Sequence, residues 1–244
     1  MIDAPNSNSG IYIDCLLLFL RRERPDVLCL LETKADWGVG STLARRFKFD
    51  GVYEVAASGM AGGLILLWNS LSLSATTLSC TDQSITTEIS GSGFSAIITF
   101  VYVRPCSVSK DMFWDNLKLF AASVNRPWIV MGDFNDFALL SERKGGSGSC
   151  LNRVLKFRER INDCNLLDVG CEGGTFTWVW KVHGRVVVQE RLDRALWGTF
   201  SRSCPNSIDE SNGVRVIAAI PGKSQQMLER YPSLLNLRED NDVH

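Results

Sequence analysis

The chain has 244 residues, 45% hydrophobic and 22% charged, with a formal net charge of −1. That is enough apolar material for one large α/β domain or two small ones, and it excludes a polycation that binds nucleic acid by bulk charge. No apolar run approaches the ~20 residues that span a bilayer, so no membrane partner is expected.

Residues 1–10 are rich in Asn and Ser and are expected to be disordered. The apolar stretch Ile11 to Leu20 lacks a basic start and runs straight into Arg21-Arg22-Glu23-Arg24, which reads as a buried helix and not a signal peptide. Asp14 can cap that helix and Pro25 must end it. Asp26 to Leu31 follows as a buried strand with Glu32 at its end. Gly51–Ala56 and Gly62–Trp68 read as paired strands, and Leu71–Leu78, Ser84–Ile89 and Phe94–Val103 as an antiparallel meander. Ser109 opens a helix with Phe113, Leu117 and Phe120 on one face. Pro127 introduces the strand Trp128-Ile129-Val130-Met131. Gly145–Ser149 reads as a flexible loop, and Asn152 can start a helix that turns Val154, Phe157 and Ile161 inward. Thr175–Trp180 and Arg185–Gln189 form a predicted hairpin around His183-Gly184, with a further strand at Arg191–Trp197. Beyond Phe200 the pattern decays. Met227–Leu237 can form one short helix, no strand is expected, and residues 201–244 read as a divergent, poorly ordered tail.

Eight cysteines are scattered without a C-x-x-C pair, which argues against a zinc site or a disulfide framework. A reducing compartment, nuclear or cytoplasmic, is expected. Charge is uneven: residues 143–202 carry 11 basic and 6 acidic side chains, the remainder 15 and 21. A basic half is compatible with a polyanionic partner such as DNA, and equally with ordinary surface variation.

The most informative stretch is Gly132-Asp133-Phe134-Asn135, directly after an apolar strand. In extended chain Asp133 and Asn135 would point the same way, roughly 6–7 Å apart, with Phe134 turned into the core. Glu32 is a second acid at a strand end. One carboxylate there can hold Mg²⁺ through a hard oxygen, while Asp133 orients a water and Asn135 donates to a phosphoryl oxygen. Solvated strand-end acids and turn-forming residues remain the alternative. Tyr102 also reads as an ordinary strand residue, and Asp193, between Arg191 and Arg194, as a salt-bridge partner. Trp178, Trp180 and Trp197 lie among basic residues, a pattern that stacks bases or simply fills a core.

Pro25-Asp26-Val27-Leu28-Cys29-Leu30-Leu31-Glu32-Thr33-Lys34 resembles the first metal-binding motif of the endonuclease/exonuclease/phosphatase superfamily. Gly62–Trp68, Val101-Tyr102, Gly132–Asn135, Gly174-Thr175-Phe176-Thr177-Trp178 and Arg191-Leu192-Asp193-Arg194-Ala195-Leu196 resemble later motifs in the same order, over about residues 14–200. Their wording is most similar to plant LINE-type retroelement endonuclease domains. The resemblance implies a four-layer α/β-β/α sandwich, two packed and mainly antiparallel sheets flanked by helices, with the domain at residues 11–200. It implies a monomeric DNA endonuclease or phosphodiesterase using Mg²⁺ (or Mn²⁺). Glu32 would bind the ion, Tyr102 would contact the scissile phosphate, Asp133 would align water, Asn135 would support the phosphate, Asp193 would orient a histidine, and Trp178 would border the substrate groove. The family's first strand carries an asparagine and its last a Ser-Asp-His motif. Asn6 and Asn8 lie outside any strand pattern, and neither His183 nor His244 follows an aspartate. The sandwich is therefore expected to lack those two strands and catalysis to be impaired, with a non-catalytic nucleic-acid binder or a phosphoester phosphatase as rivals.

Overall fold

The computed structural model describes residues 7–59, 61–91, 94–170, 174–198 and 214–220. In chain order the elements are α1 (Ser7–Glu23), β1 (Val27–Leu31), α2 (Val39–Phe47), β2 (Gly51–Ser58), β3 (Ala61–Trp68), β4 (Leu73–Cys80), β5 (Ser84–Gly91), β6 (Phe94–Tyr102), α3 (Ser107–Ser123), β7 (Trp128–Asp133), β8 (Arg143–Gly145), α4 (Leu151–Asp163), β9 (Leu166–Asp168), β10 (Trp178–Val182), β11 (Arg185–Glu190), β12 (Asp193–Gly198) and β13 (Val216–Ala219). Two large sheets have the orders β13-β1-β3-β2 and β4-β5-β6-β7-β12-β9. Among the described residues only β1–β13 and β6–β7 are parallel pairs. A third sheet, β10-β11-β8, carries the hairpin.

Strand alternation builds the layers. On β1, Val27, Cys29 and Leu31 face the second large sheet, while Leu28 and Leu30 face the helices. No polar side chain falls within the strand, because both faces are covered. On β7, Ile129 and Met131 face inward and Trp128 and Val130 pack under α3 and α4. Phe113, Trp114 and Leu117 of α3 and Val154, Phe157 and Ile161 of α4 are buried. On the far side Leu16, Phe19 and Leu20 of α1 join Ala44 and Phe47 of α2 over β1 and β3. The order is helices, sheet, sheet, helices, as the resemblance implied.

Several expectations change. The first helix begins at Ser7, so residues 7–10 are helical and Asp14 lies in the helix interior instead of capping it. The stripe Leu16, Phe19 and Leu20 anchors the helix on the sheet, so helical backbone extends past the polar capping signal. Residues 1–6 lie outside the described residues. The third helix starts at Ser107, two residues before Ser109. The Gly145–Ser149 stretch begins inside β8, whose three residues pair with β11. Thr175–Thr177 are not strand, because the Thr177 hydroxyl is used to tie the backbone of Leu192 and Asp193.

The largest correction concerns the tail. Val216 to Ala219 form a strand paired in parallel with Val27 to Leu30. Val216 packs between the sheets, and Ile217 and Ala219 pack toward the helices. The apolar run Val216 to Ile220, between Arg215 and Pro221-Gly222, has the length and flanks of a buried strand but no alternation to tell it from a helical fragment; its pairing with β1 is what defines it. The rest of 201–244, including Met227–Leu237, lies outside the described residues.

Candidate active site

Three strands of the larger sheet end in register. Tyr102 of β6 pairs with Asp133 of β7, and Asp133 with Asp193 of β12. Strands lie about 4.8 Å apart, so the three side chains form a row on the inter-sheet face. Asp133 is fully buried and Asp193 nearly so. Gly132 makes this closeness possible. Its φ is +139°, and a Cβ would sit 2.1 Å from the Val101 carbonyl oxygen.

After Asp133 the chain leaves the strand. Asn135 adopts φ +49°, and its backbone N–H donates to Asp133 Oδ1 at 2.8 Å. Its side-chain amide donates to the Val103 carbonyl at 2.8 Å, and Val103 N–H donates to the Asp133 carbonyl at 2.8 Å. The expected extended alternation therefore stops at Phe134, which stacks with Trp114 in the helix-facing core. Asn135 is placed by a left-handed turn, a conformation asparagine tolerates better than most residues. A second amide hydrogen of Asn135 is available to a ligand.

Glu32 approaches from the other sheet. It follows β1 with φ +53°. The amides of Thr33 and Lys34 donate to the carbonyls of Gly63 and Gly62, both at 3.0 Å. A Cβ at Gly63 would meet Thr33 Oγ1 at 2.5 Å, which explains a glycine at the start of β3. The Tyr102 phenol and the Glu32 carboxylate line the same cleft. Burial first, then the nearby Glu32 carboxylate as an acceptor and a charge, then the charge of Asp133, push the Tyr102 phenol well above its usual range. It stays protonated, a donor poised between two acids.

A cleft of about 580 Å³ opens here. Glu32, Tyr102, Asn135 and Trp178 all line it. Asp133 and Asp193 do not; both are buried in the sheet. Trp178 is half-buried at the start of β10, while Trp180 is exposed and Trp197 is core. Asp193 is fixed through its backbone, since Thr177 Oγ1 accepts the amides of Leu192 at 2.9 Å and Asp193 at 3.1 Å. Arg191 and Arg194, both buried, bond buried Glu142 and the more accessible Asp168. Among the described residues no histidine lines the cleft: His183 is exposed at the β10–β11 turn, and His244 lies outside them.

Sequence reasoning missed the cationic wall. Lys110 of α3 and Arg153, Lys156 and Arg160 of α4 also line the cleft. The Lys110 ammonium donates to the Asn135 carbonyl and to Asp136, both at 2.7 Å. Arg153 donates to the same carbonyl at 2.8 Å and to Asp136 at 2.6 Å, and its guanidinium lies 4.4 Å from the Phe137 ring centroid. Burial pulls the Lys110 pKa down despite the Asp136 charge. Two helices thus clamp the turn that presents Asn135. The α4 stripe was legible, since positions 153, 156 and 160 share a helix face. Lys110 gave no signal, because its partner is 26 residues away.

Among the described residues no group of three His, Cys, Asp or Glu is placed to hold a metal. Of the acids lining the cleft, Asp136 and Glu190 are held by cations. Glu32 has the loosest ionic partner, Lys34 at 3.7 Å. A single carboxylate fits an ion that keeps most of its waters, as Mg²⁺ does.

The family model for the Endonuclease/Exonuclease/phosphatase family matches residues 6–211. No curated protein sequence matches the chain. Among solved structures, the endonuclease domain of TRAS1, a telomere-specific non-LTR retrotransposon, aligns with a TM-score of 0.51 at 16% identity, over 71% of this chain and 85% of that one. A 3′-5′ exonuclease (NExo) from Neisseria meningitidis aligns at 0.54 and 18%, over 78% and 83%. D. rerio TDP2 complexed with single strand DNA product aligns at 0.53 and 14%, over 84% and 82%. Identities this low speak for the fold, while the family match spans most of the sequence: the chain belongs to the endonuclease/exonuclease/phosphatase family.

Proposed function

We propose that the cleft hydrolyses DNA phosphodiesters with a divalent ion, Mg²⁺ or Mn²⁺, held at Glu32. The observation that carries this reading is the meeting, in one cleft, of Glu32 from one sheet with Tyr102 and Asn135 from the other, beside four cations. When bound, the ion supplies Lewis-acid stabilisation of phosphate charge. Tyr102 donates its retained proton toward a phosphoryl oxygen, and the free Asn135 amide hydrogen supports a second. Asp133, buried behind the cleft, holds the Asn135 turn through its Oδ1 and sets the negative potential beneath the site, and Trp178 gives a flanking base a stacking surface. With no histidine among the described residues for Asp193 to orient, turnover is expected about 100- to 1000-fold below that of a complete centre. The motif wording supports a retroelement ancestry. The protein is proposed to act as a monomer in the nucleus or cytoplasm, in keeping with five free cysteines among the described residues.

A cleft that no described histidine lines favours one second reading: a nucleic-acid binder without turnover. The test is supercoiled plasmid and abasic duplex incubated with full-length protein in Mg²⁺, in Mn²⁺ and in chelator. Metal-dependent nicking reduced about 100-fold or more in Glu32→Gln is the expected result. Salt-sensitive binding with no nicking in either metal replaces it with the binder, and phosphate release from small phosphoesters without nicking replaces it with a phosphatase.

A further inference from the structure

At the α3–α4 edge of the cleft, Asp111 of α3 holds two cations of α4. Its Oδ1 takes Lys156 Nζ at 2.9 Å and also the Arg160 guanidinium. Lys156 and Arg160 line the cleft and Asp111 does not. Two positive charges therefore meet one carboxylate, and that carboxylate is half exposed while the Arg160 side chain is only 12% exposed. The carboxylate pulls the pair together as an incoming anion would, with one positive charge uncompensated. The inner cations are differently employed, since Lys110 and Arg153 are committed to Asn135 and Asp136. A volume of about 580 Å³ is in the range that encloses a drug-sized ligand, more than one phosphoryl group needs.

We infer that Lys156 and Arg160 bind a non-reacting phosphate of a polynucleotide strand whose neighbouring phosphodiester lies at Glu32 and Tyr102, with Asp111 occupying that place in the free protein. This rests on reading the cleft as a phosphodiesterase site, and it commits that site to polymeric substrates over mononucleotides. A guanidinium and an ammonium seven and three residues beyond Arg153 on one helix face form a track suited to backbone phosphates, carrying no base preference.

The test is anisotropy of a labelled single-stranded oligodeoxynucleotide on the full-length protein in chelator, from about 50 to 200 mM salt. Lys156→Gln, an exposed change that leaves the core alone, should weaken binding about fivefold whatever the sequence and lower the salt slope by about 1. Asp111→Asn should tighten binding about threefold, since it frees both cations. A labelled mononucleotide should respond to neither. An unchanged slope in Lys156→Gln, or weaker binding in Asp111→Asn, overturns the assignment. Because no metal or turnover is needed, protein that binds in this pattern yet nicks no plasmid overturns the hydrolytic reading alone.

Discussion

Gly132 sits where an added methyl group would strike the backbone of the adjacent strand, at a φ that other residues rarely adopt. Gly132→Ala is expected to cost about 2–4 kcal/mol in urea unfolding, because neither strand can move without breaking the Tyr102–Asp133 register. A cost under about 0.5 kcal/mol would show that the close approach is not what fixes this glycine. The sequence exposed the residues of this site better than their geometry. Glu32, Tyr102, Asn135 and Trp178 were all singled out from the chain, and all line one cleft. The turn at Asn135 was not legible, because strand alternation continues on paper past the point where the backbone turns left-handed. Nor was the Lys110 clamp, which joins a helix to a distant loop through a carbonyl that has no sequence identity.

Elements with two covered faces were the easiest to read. β1 is an unbroken apolar run and β7 is one up to Met131, and the amphipathic spacing of α4 turns inward the three residues expected. β13 was passed over for a different reason: Val216 to Ile220 is a short apolar run set in an otherwise polar tail, and one such isolated run means little until β1 pairs with it. That pairing carries weight, since β1 holds the Glu32 turn and would otherwise present an open edge. Val216→Asp places a charge between the sheets and is expected to cost about 3 kcal/mol in chemical denaturation. It should also speed hydrogen exchange at the amides of β1. Wild-type exchange rates in that strand would show that β13 contributes nothing to it.

At the scale of the molecule, a cluster of buried Arg191, Arg194 and Glu142 with the more accessible Asp168 ties β9 and β12 to the turn before β8. Burial alone would raise both carboxyl pKa values, but Arg194 and Arg191 hold Glu142 and Asp168 below their ordinary 4.5 and 3.8. A depressed folded-state pKa means stability that is present above the unfolded values and is lost as pH falls through the lowered ones. The urea midpoint should therefore fall steadily below about pH 5, and Glu142→Gln should start lower at neutral pH but show a flatter acid limb. A wild-type midpoint that rises between about pH 5 and pH 3 would contradict the cluster's role. The division of labour between the sheets reaches further. Glu32 hangs from one sheet, and Tyr102, Asp133 and Asn135 from the other, with only Leu31, Leu64, Met131 and their neighbours as the spacer between them. The oily filling thus works as a calliper. Thinning it by a methylene far from the cleft resets the gap across which carboxylate and phenol reach each other, so chemistry here inherits its tolerances from grease.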